Sequence, residues 1–186
     1  MKIETIEIAG FAGALTALRL PFGKEVRSKI RITRSWDRLN ELSDIVSEEN
    51  IRIDQKDLQL MTTLVKRGDE HAKIVRGINV WAKITAPVYW FIEQETYRAG
   101  HERLASESTM HIDCKGLSGK ELQEAKAAIP MGKELTKVDM FSYQTLRRIV
   151  AQRHNHRLPE WHTFIDWVRT LPFAEELILV GLEMEE

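Results

Sequence analysis

The chain has a single cysteine, Cys114, in 186 residues. No internal disulfide can form, so a scaffold stapled by bridges is excluded. It also lacks any run near the roughly 20 apolar residues that span a bilayer, and Met1 to Gly10 carries charges inside its apolar stretch. Neither membrane insertion nor secretion is expected, and the cytoplasm is the expected compartment. Charge of one sign is lacking too, with 27 Lys and Arg against 28 Asp and Glu. Nothing attracts nucleic acid globally, and an anion site must come from a local cluster of Arg and His. There is no repeat, low-complexity run or Gly/Ser/Pro linker. A chain of this length buries roughly 70% of its unfolded surface in one core, and one domain over residues 1–186 is expected.

The periodicities present mix strands with a majority of helices. Lys2 to Ile8 is β-branched and partly alternating, which predicts an opening strand; Gly10 to Leu20 is rich in Ala and Leu and is stopped by Pro21 and Gly23, which predicts a short helix. Helical spacing recurs over Trp36 to Val46, and again after Asp54 with Leu58, Met61, Leu64 and Val65, ending at Gly68. Ile78, Val80, Ala82 and Ile84 alternate with Asn79, Trp81 and Lys83, the period of a half-buried strand ended by Pro87. Pro87 then predicts a helix to about Arg98, closed by Ala99-Gly100 and followed by a polar loop. Further helices are predicted over Glu121 to Ala128, Ser142 to Arg153 and Pro159 to Leu171. The fold class is therefore α/β (α+β).

Hydrogen-bond donors crowd one place. Arg98, His101, Arg103, Ser106, Ser108 and Thr109 fall within twelve residues, just where an apolar helix turns into a loop. Such a set can converge on a phosphate or a carbonyl-rich ring. A solvated, charged loop has the same composition, and the residues alone leave both readings open.

This segment resembles the core of flavin-dependent thymidylate synthases, in which a strand ending in Ala-Pro is followed by a helix and the pattern R-H-R-x-x-S-x-N-E-x-S-x-R. Laid on without a gap from Ala86-Pro87, the Arg-His-Arg falls on Thr96-Tyr97-Arg98, the first serine on His101, the asparagine on Arg103, the glutamate on Leu104, the second serine on Ser106 and the last arginine on Ser108. Arg98 and Ser106 are kept and the others are changed. Upstream, Asp57 to Gly68 and Ile78 to Ile84 repeat the family's order of helix and strand; downstream, Thr145-Leu146-Arg147 answers its Asn-Leu-Arg helix start. The segment is also similar to uncharacterised tailed-phage proteins that share Ser106-Glu107-Ser108-Thr109-Met110-His111.

The resemblance implies a mixed sheet packed with helices, with helix predominant. It implies a pyrimidine nucleotide held by Arg98, His101, Arg103, Ser106, Ser108 and Arg147, with FAD as cofactor facing Thr96 and Tyr97, and a homo-oligomer, a tetramer in the family. The family transfers a methyl group to dUMP with hydride from a reduced flavin. Replacing Arg-His by Thr96-Tyr97 removes a permanent positive charge, since a tyrosine stacks on a ring but cannot replace a guanidinium. No catalytic residue is assigned, and the alternative is a non-enzymatic phage protein that binds or sequesters a nucleotide-derived ligand.

Three other groups have simpler readings. His111-Ile112-Asp113-Cys114 and His154-Asn155-His156 lack the intervals of a zinc module, and no metal is expected. The basic run from Arg147 to Arg157 reads as one wall of the anion site or a solvated helix face rather than a nucleic-acid surface. Tyr89, Trp90, Phe91, Trp161, Phe164 and Trp167 sit at helical spacing and read as core or subunit interface, with Leu171-Pro172-Phe173 a further interface candidate.

Overall fold

The computed structural model describes residues 1–24, 29–30 and 51–182; the helix expected over Trp36 to Val46 lies outside the described residues. In chain order the elements are β1 (Lys2–Ala9), α1 (Phe11–Arg19), β2 (Lys29–Ile30), β3 (Ile51–Arg52), α2 (Gln55–Lys66), β4 (Asn79–Pro87), α3 (Val88–Gln94), β5 (His101–Ser106), α4 (Thr109–Ile112), α5 (Gly119–Ala127), β6 (Glu134–Ser142), α6 (Tyr143–Arg153) and α7 (Pro159–Arg169), with a π turn at Glu175–Leu179. β2 and β3 form a separate antiparallel pair.

The main sheet has the order β1-β4-β6-β5. It is antiparallel throughout rather than mixed. The cause is where each excursion of chain returns. Ala9 lies opposite Asn79, so β4 starts at the end where β1 stops; Pro87 lies opposite Glu134, so β6 starts where β4 stops. α3 instead carries the chain back along the sheet, so β5 runs in the same direction as β4 with β6 between them.

One face of β4, Val80, Ala82, Ile84 and Ala86, is fully buried. The other, with Trp81, Lys83 and Thr85, is half-buried or exposed. Against the buried face lies an aromatic cluster: the Trp90 ring lies tilted against Trp161 at 5.0 Å and Phe164 at 5.6 Å, and Phe141 from β6 meets Phe164 edge-on at 5.7 Å. The aromatics at helical spacing are therefore core, and truncating a buried one such as Trp161 to alanine costs about 3–5 kcal/mol. Leu171-Pro172-Phe173 is also spent within the chain, because Phe173 packs on Phe11 and the Pro172 carbonyl accepts from the Tyr143 hydroxyl.

Local chemistry explains most boundaries. Asp54 caps α2 by accepting from the Lys56 amide, and Ser142 caps α6 by accepting from the Thr145 amide. At Gly10, with φ +99°, an added Cβ would lie 1.8 Å from the Gly77 carbonyl oxygen, so only glycine lets β1 turn into α1 beside the start of β4.

Two more expectations need correcting, and one strand was not foreseen. α3 stops at Gln94 rather than near Arg98, because Thr96 folds back and donates its hydroxyl to the Glu93 carbonyl. The polar loop expected after Gly100 is the edge strand β5, held by its ladder to β6. β6 itself carries no expectation from the sequence, because its buried positions include Lys137 and Asp139.

Candidate functional site

β5 has five exposed residues out of six, and among the described residues its outer edge pairs with no strand. Its partners are His101 opposite Phe141, Arg103 opposite Asp139, Ala105 opposite Val138 and Ser106 opposite Lys137, with a register shift between Arg103 and Ala105. Leu104 is the extra residue of that bulge. Strict alternation would put Ser106 on the face opposite to His101 and Arg103. The bulge resets it, and His101, Arg103 and Ser106 share the face that β6 lines with Phe141, Asp139 and Lys137.

The end of α3 covers this face. Glu95, just past the helix, accepts from Lys137 Nζ at 2.5 Å and from Arg103 Nη1 at 2.6 Å on the same carboxylate oxygen. Lys137 is only 6% exposed and lies 4.0 Å over the Phe91 ring. Burial pushes the Glu95 carboxyl up, but the hydrogen bonds and charges of Lys137 and Arg103 outweigh it and hold the group below its ordinary value.

Beneath lies a second layer. His101 is 8% exposed, while Gln94 and Asp139 are fully buried. The imidazole stacks on Phe141 at 4.8 Å and 17°. Its Nε2 lies 2.9 Å from the Gln94 amide and 3.3 Å from Asp139 Oδ1. With the amide nitrogen facing the ring, both Asp139 oxygens and Gln94 Oε1 lack a hydrogen-bond partner. Two proton placements are open to this trio. If Nδ1 carries the proton, Nε2 accepts from Gln94 and the carboxylate has no donor. If Nε2 carries it, the proton lies between Asp139 and, with the amide turned over, the Gln94 oxygen. A buried carboxylate stripped of its partner costs about 3–5 kcal/mol, whereas an unpaired amide donor costs about 1–3 kcal/mol. Of the two neutral tautomers, the Nε2-protonated ring is the less costly.

The remaining expected residues are distributed differently. Arg98 is exposed beside His101, whose amide donates to the Arg98 carbonyl, and its side chain makes no ion pair with a described residue. Ser106 Oγ donates to the Glu107 carbonyl, and Ser108 sits at the start of α4. Arg147 does not join them: its Nη1 donates at 2.7 Å to both the Ile178 and Val180 carbonyls, fixing the C-terminal turn. Tyr97 is turned into the chain, its hydroxyl accepting from Arg153 Nε at 2.8 Å, and the Arg153 guanidinium lies 4.9 Å from the Trp161 ring. Arg153, His156 and the Trp161 ring nitrogen all approach Glu93 Oε2, within 3.1–3.4 Å. With Arg148 paired to Asp69 at 2.6 Å, much of the basic run is neutralised internally.

Sequence reasoning did not find Gln94, Glu95, Lys137 and Asp139. A signal exists for the last two: in Thr136-Lys-Val-Asp-Met-Phe141 the charges are two positions apart, so a strand there puts both on one face. Among the described residues, no three His, Cys, Asp or Glu side chains gather as metal ligands, and no helix is long and apolar enough to cross a membrane.

No protein-family model matches the chain, and neither does any curated protein. Solved structures do. Flavin-dependent thymidylate synthase ThyX from Helicobacter pylori, complexed with FAD and dUMP, superposes with a TM-score of 0.66 at 11% identity, covering 98% of this chain and 99% of that one. A second structure of the same enzyme, also with FAD and dUMP, gives 0.67 at 11% identity over 98% and 100% of the two chains. The UMP/dUMP methylase PolB from Streptomyces cacaoi, bound with 5-Br dUMP, gives 0.61 at 12% identity over 99% and 97%. Identities this low carry architecture alone, and they carry it over nearly the whole length: the chain has a divergent form of the flavin-dependent thymidylate synthase fold.

Proposed function

We propose that this chain binds a pyrimidine nucleoside monophosphate along the inner face of β5. The observation that carries the reading is the bulge at Leu104, which aligns His101, Arg103 and Ser106 on one face of an edge strand, beside the exposed Arg98. At about 3.3 Å per residue, that row extends for roughly 13 Å, the scale of an extended nucleoside monophosphate. Arg98 and Arg103 supply fork-shaped donors suited to a phosphate, and Ser106 a hydroxyl. Structures of this fold complexed with dUMP support the choice of ligand.

FAD is bound in two of those structures, yet the Thr96-Tyr97 turn of this chain fits a flavin poorly. Thr96 Oγ1 is engaged with the Glu93 carbonyl and the Tyr97 hydroxyl with Arg153. The nucleotide-binding reading therefore stands without a flavin-dependent step, and it favours a protein that holds or sequesters its ligand. The test is thermal melting of the purified protein with dUMP, dCMP and inorganic phosphate, alongside absorbance near the flavin band after incubation with FAD. A rise in Tm with dUMP and no retained yellow colour are expected. A protein indifferent to every nucleotide would overturn the reading, and retained FAD with turnover of dUMP would replace it by the enzymatic one.

A further inference from the structure

Arg103 and Lys137, the cations that β5 and β6 place on one face, donate to the same oxygen, Glu95 Oε1, at 2.6 and 2.5 Å. Two charged donors converging on one oxygen make an anion position, and a phosphate oxygen suits it as well as a carboxylate oxygen does. The Arg103 and Glu95 side chains are 49% and 37% exposed, so the position is reached from solvent, while Lys137 at 7% needs a counter-charge whatever its source. In charge the fit is incomplete: one carboxylate faces two cations, and Arg98, in the turn that follows Glu95, makes no ion pair with a described residue. A phosphate monoester dianion offsets both cations. The Glu95 amide is held by its bond to the Phe91 carbonyl at 2.9 Å, so the carboxylate leaves by side-chain rotation without unwinding α3.

Resting on the nucleotide-binding reading, we infer that Glu95 is a specificity-determining residue: its carboxylate holds the phosphate position between Arg103 and Lys137, and a nucleotide enters by displacing it. A tethered competitor acts at an effective concentration on the order of millimolar. A small anion that offers only those two contacts is turned away, whereas a nucleotide adds contacts to Arg98 and Ser106 that the carboxylate does not make. A nucleoside has no group to exchange for the carboxylate, and Glu95 is indifferent to it.

Titration calorimetry of the full chain at neutral pH, with dUMP, deoxyuridine and inorganic phosphate as probes, compares the parent with Glu95→Gln, which keeps the shape and removes the charge. The variant is expected to bind dUMP and phosphate roughly tenfold tighter or more, the scale of one charge-assisted hydrogen bond that no longer has to be exchanged. The two gains are expected to match, because both ligands displace the same group, and deoxyuridine is expected to bind the two proteins alike. Carbon-13 spectra of the parent add a readout that needs no variant to fold: the Glu95 carboxyl resonance is expected to move with dUMP and to stay in place with deoxyuridine. If Glu95→Gln binds dUMP no tighter than the parent, if deoxyuridine gains as much as dUMP, or if dUMP binds the parent with that resonance unmoved, the inference is overturned and the nucleotide reading stands. Binding of no nucleotide by either protein removes both.

Discussion

Arg153 Nε donates to the Tyr97 hydroxyl at 2.8 Å, bridging 56 positions of sequence from the end of α6 to the turn after α3. The guanidinium also reaches Glu93 and lies over Trp161. Tyr97 therefore ties three helices together at the position where the resembling pattern has a histidine.

Tyr97→Phe separates this tie from a ligand-facing role. Removing the hydroxyl deletes an acceptor for a charged donor, worth about 1.5–3 kcal/mol, and at roughly 2–4 °C per kcal/mol for this chain length the melting temperature is expected to fall by about 3–12 °C. Affinity for dUMP is expected to stay within about twofold, in keeping with a side chain directed inward. Calorimetric melting and titration of one sample check both, and the opposite pattern, unchanged melting with lost binding, would return Tyr97 to the ligand.

The pair shows where sequence reading succeeds and stops. α2, β4, α6 and α7 were legible because a cap or a proline sits next to an unbroken periodicity: Asp54, Ser142 and Pro159 mark starts, and Val80 to Ala86 alternate cleanly. β5 was not, since Glu102 to Ser106 is exposed and carries no burial pattern. β6 inverts the usual rule, burying Lys137 and Asp139 while Val138 and Met140 are half-buried. The donor cluster from Arg98 to Ser108 was legible because it is local. Its partners were not, because Lys137 reaches Glu95 across 42 positions and Arg147 meets the C-terminal turn across 31 and 33.

Glu95 sets an acid limit on the site. Its folded pKa lies below the ordinary value of 4.5, so its contribution to stability is complete above that value and is lost as pH falls through the folded pKa. Glu95→Gln is expected to flatten the stability profile on the acid side of 4.5 while leaving its shape near neutrality unchanged. Urea midpoints measured across that range for the two proteins decide it, and parallel profiles would mean that Lys137 and Arg103 gain nothing from the carboxylate.

The bulge makes an unusual demand on a deletion. Removing Leu104 keeps every pair of the ladder, because Arg103 opposite Asp139 and Ala105 opposite Val138 become consecutive. Leu104 is 58% exposed and contributes little burial. The shortened chain is expected to hold dUMP within about threefold of the parent and to lose about 0.5 kcal/mol or less, the scale of a surface change. Loss of binding would make Leu104 part of the site, in keeping with its place opposite the glutamate of the resembling pattern.

Arg98 carries the sharpest separation of binding from folding. Its side chain is exposed and makes no ion pair with a described residue, so replacing it disturbs none of the layers that hold β5. A guanidinium that meets a phosphate contributes about 1.5–3 kcal/mol, which corresponds to roughly 10–100-fold in affinity. Arg98→Ala is expected to weaken dUMP by that factor with an unchanged melting temperature, and Arg98→Lys to recover only part of it because the fork geometry is lost. Deoxyuridine, which has no phosphate, is expected to bind the variant and the parent alike. If deoxyuridine weakens as much as dUMP, Arg98 meets the nucleoside rather than the phosphate.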